Sequence, residues 1–251
     1  MKTELELFNL CNKDAIYTQI GDGVDYAFIE DPREAILYIF FEPSDGIEDW
    51  RNNFAFARKP YKDMEIPYKV HGGFLKCWKT VEDIVIEKIL EEDPMEAGSY
   101  RWRKVVIVGY SHGGALAALC HECVWFHRSD LRNGGILGYG FEAPRIFGGW
   151  RIPPALKERW EGYTVYRNKN DIVTHMPPIL FGFRHVGNLK QLGAHSKCGP
   201  ISAHSRTWVR VGLGVKYDDV EAELKKELLD SKKKKLEKRK KKLECEKNQE
   251  E

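Results

Sequence analysis

Gly109, Ser111 and Gly113, within the run VVIVGYSHGGALAAL from Val105 to Leu119, have the spacing G-x-S-x-G. That spacing suits a nucleophilic serine when a strand precedes it and a helix follows. Both conditions are met: Lys104 to Gly109 (KVVIVG) is a β-branched strand, and Gly113 to Phe126 is an Ala/Leu-rich helix. Glycine on either side removes the Cβ clashes of a chain reversing so sharply. Ser111 Oγ then stands clear at the C-terminal edge of the strand. The helix that follows points its free N–H groups and positive dipole end at any negative charge developing there. His112 comes directly after the serine, and its backbone N–H is a candidate oxyanion donor. On so tight a turn its imidazole points away from Ser111, so it reads as a packing or substrate-facing ring and not as a proton acceptor.

A serine nucleophile needs a base, and the base needs a carboxylate to orient it. In α/β-hydrolase order both follow the serine, acid first and histidine second. Tyr163 to Pro178 reads YTVYRNKNDIVTHMPP: a strand, then a polar turn with Asp171 at its edge, then Pro177 and Pro178 at the loop exit. Taken alone, Asp171 would be a turn residue closing the strand. Beside the Ser111 elbow it is the candidate acid. Eight histidines compete for the base, and chain order leaves His175, His185, His195 and His204. His175 is too near Asp171 in the chain to bridge from it to Ser111, and His185 lies in a strand-patterned segment, FGFRH. His195 and His204 both occupy loops, and spacing does not separate them. His204 has an anchor in the apolar run Arg206 to Gly212 (RTWVRVG).

The elements that must carry these residues alternate between strand and helix. Ala35 to Phe41 (AILYIFF) is apolar throughout, as a strand buried on both faces should be. Val81 to Leu90 has helical amphipathic spacing, and Gly135 to Phe141 and Tyr163 to Arg167 read as further strands. The expected fold is α/β: a mostly parallel sheet of α/β-hydrolase type with helices on both faces, spanning roughly residues 1–217. Residues 218–251 read as a charged, partly helical tail.

Composition sets outer limits. The 251 residues carry 40 basic and 38 acidic side chains, a net +2 that by itself argues against a nucleic-acid partner. The charge is uneven, however. Lys232 to Lys242 (KKKKLEKRKKK) has nine basic residues against one acidic, and removing that net +8 leaves the rest of the chain at −6. The body is thus mildly acidic, and the tail is suited to a solvated arm or to contact with an anionic surface. No run of about 18 apolar residues occurs. The N-terminal ten residues lack the apolar stretch of a signal peptide. Six scattered cysteines without framework spacing then read as reduced thiols, and the expected location is the cytoplasm. Cys120, His121, Cys123 and His127 share a helical stretch, but without a second separated pair they read as the buried face of a core helix and not as a zinc site. No metal or organic cofactor is implied.

Across roughly residues 35–210 the chain resembles the class 3 lipase family. GYSHGGALAAL looks like the family's nucleophile box, with Tyr110 where histidine is usual and His112 where leucine is usual. VHGGF (Val70 to Phe74) and GFEAPRIFG (Gly140 to Gly148) are similar to the boxes on either side of it. YRNKNDIVTHMPP looks like the catalytic-aspartate segment, which puts that role on Asp171. FGFRH resembles a phenylalanine-flanked histidine that is not catalytic in the fungal members, and ISAH matches the later IPAH-type segment, which puts the base on His204. The family's second oxyanion donor, from an F-R-G-[ST] box, corresponds to Ser44 in FEPSDGIEDW, with Glu42 and Pro43 in place of arginine and glycine. Ile47 to Lys62 mixes aromatic and charged residues, and so looks less like an interface-binding lid than like a cover over a soluble or amphiphilic ester.

The resemblance implies a serine carboxylester hydrolase, of lipase or esterase type, acting on a small-molecule or lipid ester through Ser111, His204 and Asp171. The same triad would serve a phospholipase or an acyltransferase. The departures at Glu42, Pro43 and His112 also suit a catalytically silent hydrolase-fold binding protein.

Overall fold

Two apolar runs far apart in the chain lie side by side at the centre of the molecule. In the computed structural model, which describes residues 1–20, 24–42, 57–62, 66–192, 199, 202–222, 225, 226 and 229, the strands in chain order are β1 (Thr18–Ile20), β2 (Val24–Asp31), β3 (Ile36–Phe41), β4 (Arg58–Tyr61), β5 (Tyr68–His71), β6 (Lys104–Tyr110), β7 (Ile136–Phe141), β8 (Phe147–Gly148), β9 (Tyr163–Arg167), β10 (Phe183–Arg184) and β11 (Asn188–Gln191). Among the described residues the main sheet has the order β1-β2-β3-β6-β7-β9-β11. From β3 onward all pairings in it are parallel, and β1 and β2 add an antiparallel edge. The two central strands pair in register from Ile36 opposite Lys104 to Phe41 opposite Gly109.

Alternation along these strands feeds two cores. Leu37, Ile39, Phe41, Val105 and Ile107 face one side, where they meet the helices α2 (Gly72–Lys79), α3 (Glu82–Ile89) and α4 (His112–His127). Ile36, Tyr38, Phe40, Val106, Val108 and Tyr110 face the other, against Leu7 and Phe8 of α1 (Glu4–Asn9) and Val209 of α6 (Arg206–Gly212). A short α5 (Pro154–Lys157) adds Leu156 to the first core. Burial on both sides explains why these strands read as continuous apolar runs. The expected α/β architecture is therefore present.

Two features were not legible beforehand. One is the antiparallel edge. The other is a second, four-stranded antiparallel sheet, β10-β8-β5-β4, built from strands of two to four residues that carry no periodicity. Beyond the expected body, Val220 is fully buried.

α4 has no polar face to speak of: Gly113 through Val124 are all buried. Cys120 and Cys123 sit in the first core, and burial holds both thiols well above their ordinary range. His121 is buried beside them and its Nδ1 lies 2.9 Å from the Arg159 carbonyl. These residues are packing, as a core helix requires.

Two consequences can be measured. Burial pushes His121 from 6.5 down to about 4, so the unfolded chain takes up a proton that the fold refuses. Its contribution is complete above pH 6.5 and is lost as the pH falls toward 4, by about 1.4 kcal/mol per pH unit. Unfolding free energy should fall with pH across that range, with His71, His112 and His185 adding to the slope, and His121→Gln should lower the slope by one proton's worth. Separately, a Cβ on Gly109 would lie 2.1 Å from the Gly113 carbonyl oxygen. Gly109→Ala should therefore cost about 3 kcal/mol, read as a shift of the denaturant midpoint.

Candidate active site

One residue separates the end of β6 from the start of α4, and that residue is Ser111. Its backbone has φ 55° and ψ −121°, a conformation that costs a non-glycine residue energy and persists only where its surroundings impose it. The surroundings are backbone. Gly109 packs on the Gly113 carbonyl, and a Cβ on Gly113 would come within 2.3 Å of the Phe41 carbonyl oxygen at the end of β3. Ser111 N–H donates to the Phe141 carbonyl at 2.8 Å, fastening the turn to β7. Both glycines of the motif are thus required by contact.

The three residues expected to form a relay are brought together. His204 Nε2 lies 2.8 Å from Ser111 Oγ, and His204 Nδ1 lies 2.7 Å from Asp171 Oδ2. All three are buried. Asp171 sits just beyond β9, and its other oxygen accepts the Val173 N–H at 2.8 Å. The carboxylate therefore closes its own turn and faces the histidine at once, which joins the two readings of this residue. Arg145 holds the far side of the loop: its N–H donates to the Met176 carbonyl at 2.7 Å and its guanidinium to the carbonyls of His175 and Pro177.

His204 occupies a single turn, Ser202–His204, just before α6. Ser205 caps that helix by accepting the Trp208 N–H at 3.2 Å. Tyr110 OH donates to the His204 carbonyl at 2.7 Å, and its ring stacks on the imidazole with centroids 5.2 Å apart and planes at 19°. Asn168 Nδ2 donates to the Ala203 carbonyl at 3.3 Å. The base is held from three sides.

Three other histidines make their contacts elsewhere. His175 Nδ1 contacts the Asp171 backbone carbonyl at 2.8 Å, and His185 Nε2 contacts the Thr174 carbonyl at 2.8 Å. Burial pushes His112 down to about 4, and its ring packs against Phe74 with centroids 5.5 Å apart. Its backbone N–H belongs to the first turn of α4, where the helix offers N–H groups no internal acceptor. His195 and Ser44 lie outside the described residues, as do Pro43 and most of the expected cover from Ile47 to Lys62. Glu42 is described, and its N–H donates to the Asp25 carbonyl at 2.9 Å.

Glu142, Asp171 and His204 offer ligand atoms within 4.8 Å of one another. A cation there would compete for the Asp171 oxygen and the His204 nitrogen that already face each other. The arrangement thus suits proton handling better than metal binding.

Comparison with known proteins gives the same picture. Residues 38–181 match the family described as Lipase (class 3). The chain belongs to the class 3 lipase family. A lipase of Rhizomucor miehei is 30% identical over 158 residues, 61% of this chain and 41% of that protein. Secreted mono- and diacylglycerol lipase 1 of Fusarium solani is 27% identical over 169 residues, 67% of this chain and 47% of that one. The structure of Rhizomucor miehei lipase in its propeptide complex superposes with a TM-score of 0.59 at 23% identity, covering 75% of this chain and 67% of the other, and shows the shared fold. The chain thus spans less than half the length of these curated relatives.

Two neighbours of the relay escaped sequence reasoning. Tyr110 drew notice only because the family usually has histidine there. Glu142 drew none, although an acid directly after an apolar strand is unusual. Tyr110→Phe keeps the stack and removes the hydroxyl. It should cost about 1 kcal/mol of stability and lower any serine-dependent turnover by up to about tenfold, measured by thermal unfolding and steady-state kinetics.

Proposed function

We propose that this class 3 lipase family member is a serine carboxylester hydrolase. The observation that carries the reading is the unbroken hydrogen-bonded line from Asp171 Oδ2 through His204 to Ser111 Oγ, ending on a serine held at positive φ. Ser111 Oγ attacks the ester carbonyl as its proton passes to His204 Nε2. Asp171 keeps the imidazole oriented and stabilises its positive charge. The His112 N–H, with Ser44 as the second donor, stabilises the oxyanion. Collapse of the tetrahedral species breaks the bond to the alkoxy group, which leaves as alcohol with the proton from His204. Water, deprotonated by the same nitrogen, then releases the acid and restores Ser111. No cofactor takes part.

The surface beyond the relay supports an ester with an apolar portion. Ile172, Ile179, Leu180 and Phe181 follow Asp171 in the chain and are exposed, and so is Trp150. Arg184 stands 5.7 Å from the Trp150 ring. A cation beside exposed apolar side chains favours, as a second reading on the same triad, an ester that also carries an anionic headgroup, such as a phospholipid. A role for the basic tail on anionic surfaces belongs to that reading. Cytoplasmic residence is proposed with it, supported by free thiols at Cys11, Cys77, Cys120 and Cys123. Recovery of the protein from the secreted fraction would overturn that part.

Ser111→Ala should reduce hydrolysis of short nitrophenyl esters by about 10⁴-fold or more without changing the fold, and a fluorophosphonate should label the parent chain at Ser111 only. Undiminished turnover in the variant would sink the proposal. Absence of labelling would favour a silent binding protein. Rates on soluble esters of increasing chain length and on anionic phospholipid vesicles, with and without residues 218–251, separate the two ester classes.

A further inference from the structure

Behind Asp171 lies a second carboxyl group for which the proposed reaction has no step. Glu142 follows the last residue of β7 and is fully buried, with φ 50°. A long side chain at that backbone angle is costly, and such strain is retained where something depends on the side chain. Its own N–H donates to the Tyr166 carbonyl at 2.7 Å. Its Oε1 accepts from Asn168 N at 3.0 Å and from Asn168 Nδ2 at 2.7 Å, and its Oε2 lies 3.2 Å from Asn168 N. A Glu142 oxygen lies within 4.8 Å of an Asp171 oxygen, and both carboxyl groups are fully buried. Asn168 Nδ2 also reaches the Ala203 carbonyl, so one residue ties Glu142 to the turn that carries His204.

Two buried carboxylates this close repel when both are charged, which favours one of them holding a proton. Asp171 accepts the Val173 N–H and faces His204 Nδ1. Burial, and next the neighbouring Asp171, push Glu142 well above the usual carboxylate range.

We propose that Glu142 is a positioning residue: its carboxyl O–H donates to Asp171 while Asn168 anchors its other oxygen, so that the Asp171 carboxylate is held square to His204 Nδ1. The inference rests on the Ser111–His204–Asp171 reading for its kinetic consequence, but its geometry stands apart from hydrolysis. Glutamine can replace both hydrogen bonds, whereas leucine fills the space without them and glycine relieves the backbone angle.

The test uses the full chain with Glu142→Gln, Glu142→Leu and Glu142→Gly, beside Ser111→Ala. Two readouts apply: kcat and KM on a nitrophenyl ester, and the downfield proton resonance of His204 Nδ1–H. The Gln variant should stay within about threefold of the parent, and the Leu and Gly variants should lose kcat by about tenfold to a hundredfold with KM unchanged. Their Nδ1–H resonance should shift or vanish while the Gln variant keeps it. Should the Leu variant not fold, the Gly variant carries the comparison. Parent-like kcat and resonance in folded Leu or Gly variants would overturn the role, as would a Gln variant as impaired as they are. Persistent turnover in Ser111→Ala would instead overturn the hydrolase reading and leave the resonance to judge Glu142.

Discussion

At the turn between β6 and α4 the main chain touches itself and the end of β3, with no side chain between. Gly109 lies against the Gly113 carbonyl, and Gly113 against the Phe41 carbonyl. That double contact forces Ser111 into its positive φ and aims Oγ outward. The energy that sustains it comes from the sheet. Val105 to Val108 are buried on both faces, and α4 is buried around its circumference. A turn under strain is tolerable where the segments on both sides have nowhere else to go.

Parallel pairing does the rest of the positioning. Because β3, β6, β7 and β9 run in the same direction, their C-terminal ends meet along one edge of the sheet. Ser111, Glu142 and Asp171 each follow one of those ends. Asp171 and His204 are 33 positions apart in sequence and Ser111 and His204 are 93 apart, yet they meet there. Burial then raises the stakes for every polar group. With water excluded, a carboxylate needs its full set of donors. Asp171 finds them in Val173, His204 and Glu142, and Glu142 finds its own in Asn168. Hydrogen bonds link these side chains to one another, and their orientations follow from those links.

Elsewhere in the core the same rule governs groups with no part in the chemistry. Glu122 and Arg159 form a buried ion pair, and burial pushes Glu122 up to about 7. Tyr68 OH adds a hydrogen bond to Glu122 at 3.3 Å. This pair fastens α4 to the segment before β9, and it marks how such acids differ from Glu142. Glu122 answers to a cation and a phenol, whereas Glu142 lies beside the carboxyl group of Asp171.

Much of this was legible from neighbouring residues alone. The runs ILYIFF and KVVIVG became β3 and β6 because β-branched and aromatic side chains filling both faces fit little else. Ser111 was readable because its constraint is local: two glycines, a strand before and a helix after. Asp171 was readable from a polar turn at a strand's end. Family resemblance chose His204 over His195 where spacing could not, since any loop histidine can reach an edge that the fold brings to it. The short strands of the second sheet carried no period to read. Tyr110 and Glu142 look in sequence like one more aromatic and one more acid. What each does depends on which atoms burial places against it, and burial brings together segments of chain that share no local pattern.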